Sequence, residues 1–124
     1  MKSTVDIHSM NILIVDDSVN STVLLKAVLQ KENFNNLFVA NGLNSALLAL
    51  SENKIDLILL SFVLPDISGV EVCYKISSQM PYADIPIIMV TANCDIKTLQ
   101  SSFENGAIDY IAKPFNGKEL LARV

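Results

Sequence analysis

Five short apolar runs punctuate this chain of 124 residues, and they carry almost no polar alternation. They lie at 11–15 (NILIV), 37–40 (LFVA), 57–60 (LILL), 85–90 (IPIIMV) and 108–111 (IDYI). A strand with one wet face alternates apolar and polar positions. A continuous run rich in Ile, Leu and Val marks a strand buried on both faces, as in a parallel sheet. Longer amphipathic stretches separate the runs, and their spacing of three and four predicts helices. The stretch 19–32 offers Val23, Leu24, Ala27, Val28 and Lys31 as an inward stripe with polar relief. The stretch 43–52 offers Leu43, Ala46, Leu47 and Leu50. A weaker helix over 69–79 turns Val70, Cys73, Tyr74 and Ile76 inward and has Pro81 beyond its end. Ile96, Leu99 and Phe103 share a face over 96–104, with Asp95 as N-cap and Gly106 as the stop. Asn116 to Glu119 matches a capping box for a last helix, with Asn in place of the usual Ser or Thr.

Strand and helix thus alternate five times. Such repeats enforce right-handed crossovers and an α/β fold with a five-stranded parallel sheet covered on both faces. The chain is long enough for one domain and too short for two. With 51% hydrophobic and 18% charged residues, intrinsic disorder is excluded. Nine Lys and Arg against thirteen Asp and Glu give a net charge of −4, which argues against a nucleic-acid groove in this domain. No apolar run approaches the roughly 18 residues of a membrane span. Residues 1–9 (MKSTVDIHS) read as a tail without a secretory core, so the expected compartment is the cytoplasm. Cys73 and Cys94 are too few for a disulfide framework, and His8 is the one histidine, which makes histidine-based acid–base chemistry an unpromising reading.

In an open α/β sheet, ligands bind beyond the carboxyl ends of the strands. The residues there are Asp16, Asp17 and Ser18 after the first run, Ser61 after the third, Thr91 after the fourth and Lys113 before Pro114 after the fifth. Each also has a plain structural role. Asp and Ser cap helices. Ser61 suits a small hydroxyl bonded to backbone, Thr91 a strand residue, Lys113 a solvated turn and Tyr110 core with its hydroxyl at the edge.

Together these residues, in this order and spacing, resemble the receiver domain of bacterial two-component response regulators. The segments NILIVDDS, LPDISGVEV, IPIIMVTA and DYIAKPF carry the resemblance, which covers residues 10 to 124. It implies a flavodoxin-like doubly wound (βα)5 fold and Mg²⁺-dependent transfer of a phosphoryl group from a partner histidine kinase or phosphotransfer protein to an aspartate ending the third strand. By the same resemblance, Asp17 would ligate Mg²⁺ directly, Asp16 would act largely through water, and the backbone carbonyl of Val63 would be a third ligand. Lys113 would pair with the acceptor and then the phosphoryl group, across a cis bond to Pro114. Thr91 would bind a phosphoryl oxygen, and Tyr110 would rotate inward with it. The chain stops about two turns into the last helix, so a truncated final helix and a missing output domain are expected. Dimerisation through the last two helices is common in the family.

One departure sits at the centre. The acceptor position, four residues before Pro65 and eight before Gly69, is Ser61. A carboxylate attacks as an anion already formed, whereas a hydroxyl needs a base to take its proton, and serine is shorter as well. The aspartyl-phosphate switch is therefore not expected, and the chain reads as a pseudo-receiver, a regulatory binding module and not an enzyme. At ~4 Å and an effective dielectric near 20, two unit charges interact by ~4 kcal/mol. A third carboxylate would add at most about 8 kcal/mol of repulsion against the other two, and a similar attraction to a divalent cation. Ser61 forgoes both, so a more stable metal-free form and weak or absent Mg²⁺ binding are expected.

Two further readings stay open on the sequence: a conventional receiver with an introduced Asp-to-Ser change that locks the unphosphorylated state, and phosphorylation on Ser61 itself. An unrelated small-molecule enzyme lacks its fingerprints. Neither GxGxxG nor GxxxxGK[ST] occurs, Gly42, Gly69, Gly106 and Gly117 do not cluster, and no HExxH or Cys/His metal spacing exists.

Overall fold

The computed structural model describes residues 10–61, 69–79, 82–91 and 109–112. Its elements are β1 (Ile12–Val15), α1 (Val19–Lys31), β2 (Leu37–Ala40), α2 (Leu43–Glu52), β3 (Leu57–Ser61), α3 (Gly69–Ser77), a 3-10 turn (Tyr82–Asp84), β4 (Ile87–Thr91) and β5 (Asp109–Ala112). The strands pair in the order β2-β1-β3-β4-β5, every pair parallel. The parallel α/β architecture inferred from the continuous runs is the observed one. The tail 1–9 and the helices expected over 96–104 and from 116 lie outside the described residues.

Burial explains why the inner runs do not alternate. Ile12 and Ile14 of β1, Leu57 and Leu59 of β3, and Ile88 and Val90 of β4 share one cluster with Leu25 and Leu29 of α1 and with Phe34. The intervening residues, Leu13, Val15, Ile58, Leu60, Ile87 and Met89, join Ala46 and Leu50 of α2 and Val72, Cys73 and Ile76 of α3 on the other face. Each such Leu or Ile contributes roughly 1.5–3 kcal/mol by leaving water. Among the described residues no helix is long and apolar enough to cross a membrane.

Three expectations are corrected. The inward face of α1 is Thr22, Leu25 and Leu29, whereas Val23 and Leu24 are exposed. Thr22 can turn inward because its Oγ1 donates to the Val19 carbonyl at 2.9 Å, which satisfies the hydroxyl within the helix. Tyr74 of α3 points outward, and Val72 takes an inward place that the spacing had not assigned. β2 is an outer strand covered only in part, with Ala40 buried and Val39 47% exposed.

Local chemistry sets the helix ends. Ser18 caps α1, its Oγ accepting from the Ser21 N–H at 3.3 Å. At the far end Asn33 adopts φ 69, the left-handed region. Its N–H reaches the Gln30 carbonyl at 3.0 Å and the Phe34 N–H reaches that of Leu29 at 2.9 Å, closing a Schellman motif. This turn drives Phe34 into the core beside Leu29. At α2, Ser45 Oγ accepts the Asn41 and Gly42 N–H groups at 3.0 and 3.2 Å and donates to Asn41 Oδ1 at 2.8 Å.

Asn11 pins the two central strands at their amino ends. Its N–H donates to Asp56 Oδ2 at 2.9 Å, its Nδ2 to the Lys54 carbonyl at 2.7 Å, and its carbonyl accepts from the Asp56 N–H at 2.8 Å. The register that follows sets Val15 opposite Leu60. The same register carries through to the carboxyl ends of β1 and β3.

Candidate functional site

Chain order reverses direction across the sheet between β1 and β3, since β2 lies on one side of β1 and β3 on the other. Such a switch point opens a crevice beyond the carboxyl ends of its two strands. Asp16 and Asp17 follow β1 and Ser61 ends β3, so the sequence-derived candidates flank this crevice.

Asp16 continues the line of β1 by one residue, its N–H donating to the Ala40 carbonyl at 2.9 Å. With Val15 opposite Leu60, Asp16 falls level with Ser61 on the adjoining strand, about 5 Å across the sheet. Both are buried, at 4% and 5% exposed. One carboxylate oxygen of Asp16, Oδ1, accepts from the Ser18 N–H at 3.0 Å. Ser18 therefore does two things: its side chain starts α1, and its backbone orients Asp16. The Asp-x-Ser spacing is the signal for that turn, and reading Ser18 as a cap alone overlooks the second role. Asp17, next along, is exposed to solvent. The amino end of α1, where the helix dipole is positive, follows directly on these two residues.

β4 and β5 complete the rim. Ser61 pairs with Val90, Thr91 ends β4 opposite Ala112, and Tyr110 lies opposite Met89 on β5. The backbone thus brings the ends of β1, β3, β4 and β5 to one edge. Val63 and Lys113 lie outside the described residues. Among the described residues no group of three or more His, Cys, Asp or Glu side chains gathers to hold a metal ion. The rim supplies the pair Asp16 and Asp17, and a donor set of one or two carboxylates completed by water suits Mg²⁺. An open, mostly apolar hollow of about 300 Å³ lies at the opposite, amino end of the strands, between Leu50, Asn53, Lys54, Ile55, Tyr82 and Ile85. It has no part in this constellation.

Comparison with known proteins agrees with the geometry. A family model described as the response regulator receiver domain matches residues 12–124. The chain is 39% identical over 119 residues to the DNA-binding response regulator MtrA of Mycobacterium tuberculosis, covering 96% of this chain and 50% of that protein. It thus spans about half the length of the curated relatives it matches. The chemotaxis protein CheY4 of Vibrio cholerae superposes with a TM-score of 0.86 at 26% identity, over 93% of this chain and 95% of its own. The receiver domain of the sensor histidine kinase PA1611 of Pseudomonas aeruginosa gives 0.83 at 26% identity, over 93% of each chain, and carries a magnesium ion coordinated in its active-site cleft.

Proposed function

This chain belongs to the response regulator receiver domain family, and from that premise we propose that it is a pseudo-receiver, a regulatory binding module that no longer accepts phosphate on aspartate. The observation that carries this reading is Ser61, 5% exposed at the end of β3 and level with Asp16, where the family's chemistry needs an anionic oxygen. A hydroxyl there must lose its proton before it can attack, and in this reading Asp16 and Asp17 serve as the crevice's metal-facing acids.

In this reading Asp17 holds Mg²⁺ directly, Asp16 holds it through water, and the Val63 carbonyl adds a third contact, with affinity lowered by the missing carboxylate. The ion, when bound, supplies charge neutralisation for phosphoryl oxygens. Lys113, Thr91 and Tyr110 keep the places of the phosphoryl-binding and switch residues in a (βα)5 domain spanning residues 10–124. Receiver domains exchange signals with histidine kinases or phosphotransfer proteins, and a cytoplasmic partner of that class is the proposed contact. Similarity to a DNA-binding regulator twice as long supports an output domain that binds DNA, joined to this one.

The test is incubation with acetyl phosphate and Mg²⁺, followed by intact mass, for the chain beside its Ser61→Asp variant. The variant gains a phosphoryl group and the parent does not. An adduct on Ser61 in the parent overturns the reading.

A further inference from the structure

Among the described residues no strand pairs with the outer edge of β2. Its ladder to β1 opens with the Ile12 N–H on the Asn36 carbonyl and closes with the Asp16 N–H on that of Ala40, both at 2.9 Å. Alternate residues of a parallel strand face a given neighbour. Asn36, Phe38 and Ala40 therefore face β1, while the N–H and C=O groups of Leu37 and Val39 point away from the sheet. Proteins ordinarily protect such an edge with Lys, Pro or inward charge. Here the sequence from Asn33 to Ser51 contains no Asp, Glu, Lys, Arg, His or Pro.

We infer that a second copy of this chain pairs antiparallel along β2, about a two-fold axis through Phe38. Leu37 then exchanges both of its backbone hydrogen bonds with Val39 of the other copy, and Val39 with Leu37. Four bonds form, and two five-stranded sheets become one. Phe38 meets its own counterpart as a non-hydrogen-bonded pair, where side chains approach most closely. Asn35 faces Asn41, both exposed and uncharged. Leu37 already packs against the cluster under α1. By strand alternation Val39 shares that face, so pairing sets the exposed Val39 beside Leu37 of the other copy.

Charge selects a second copy as the occupant. Two chains of net charge −4 repel one another in general. From Asn33 to Ser51 neither copy carries a charged side chain. A two-fold axis also makes the edge complementary to itself, which an arbitrary peptide is not.

The experiment is sedimentation of the chain over a range of concentrations, with residue-resolved amide exchange at both ends of the range. Mass is expected to rise toward two copies. The Leu37 and Val39 amides gain protection only at high concentration, whereas those of Phe38 and Ala40 are protected throughout. Val39→Lys loses the rise in mass, and Val23→Lys, on the exposed face of α1, keeps it. A mass of one copy at every concentration overturns the inference. So does a dimer that leaves the Leu37 and Val39 amides unprotected or survives Val39→Lys. Should Val39→Lys fail to fold by circular dichroism, the exchange pattern of the unaltered chain decides alone.

Discussion

Asp16 and Ser61 stand level on adjoining strands, both buried, with Asp16 held by the Ser18 N–H. A hydroxyl beside a buried carboxylate adds no charge to the crevice. An aspartate in the same place would.

Ser61→Asp is therefore expected to destabilise the metal-free domain. A charge pair near 4 Å at an effective dielectric of 20 is worth ~4 kcal/mol, so a loss of about 2–4 kcal/mol is the scale. Millimolar Mg²⁺ should restore much of it in the variant and little in the parent. Urea melts with and without the ion measure both. Equal melts for the two proteins without metal would sink this account of the crevice.

Replacing the α1 cap tests the other tie at the site. Ser18→Ala removes the hydroxyl that accepts from Ser21 and should cost about 1 kcal/mol, whereas Ser18→Gly should cost only a few tenths. The backbone N–H that orients Asp16 survives in both. Chemical denaturation ranks the two variants.

The corrected face of α1 predicts a sharp asymmetry. Leu25→Ala, which empties a buried position, should lose about 2–5 kcal/mol. Leu24→Ala, one residue earlier and 55% exposed, should stay within about 0.5 kcal/mol of the parent. Similar losses at both would mean that the helix is rotated from the orientation described.

Asn33 holds a left-handed conformation that suits glycine best. Asn33→Gly should be neutral or stabilising, and Asn33→Val should cost about 1–2 kcal/mol. Thermal melts of the pair would show the order, and a tolerated valine would contradict the Schellman turn.

Cys73 gives the domain an alkaline limit. Burial raises its thiol from 9.0 to about 11, with a hydrogen bond to Ser77 offsetting part of the rise. Below pH 9 the thiol is protonated in both folded and unfolded chains and has no effect. Between pH 9 and 11 only the unfolded chain ionises, so stability falls, by about 2–3 kcal/mol in all. Urea melts at pH 8 and pH 10.5 should show a steeper loss for the parent than for Cys73→Ala. Parallel slopes would remove the thiol from the explanation.

Much of this was written locally. Unalternating runs such as LILL can be satisfied only by cover on both faces, so the parallel sheet followed from short-range pattern alone. Asp16, Asp17 and Ser61 could be placed at the carboxyl rim because each directly follows or ends a run. Which side of α1 turned inward could not be read in the same way. Val23, Leu24 and Leu25 are consecutive and all apolar, and a stripe drawn through the first two fits the period as well as one through the third. The difference came from Phe34, which the turn at Asn33 sends under the helix to meet Leu29. Likewise LFVA reads like an inner strand, and only its place at the end of the sheet order left Val39 uncovered.

Residue order alone therefore determined the class of fold, the identity of the rim and the serine that ends β3. Tertiary structure decided the level at which Asp16 meets Ser61, because that depends on Asn11 bonding to Asp56, 45 positions away, and on the register it pins. Chemical type is carried by each residue separately. Juxtaposition is a property of pairs distant in the chain, and only packing and long-range hydrogen bonds establish it.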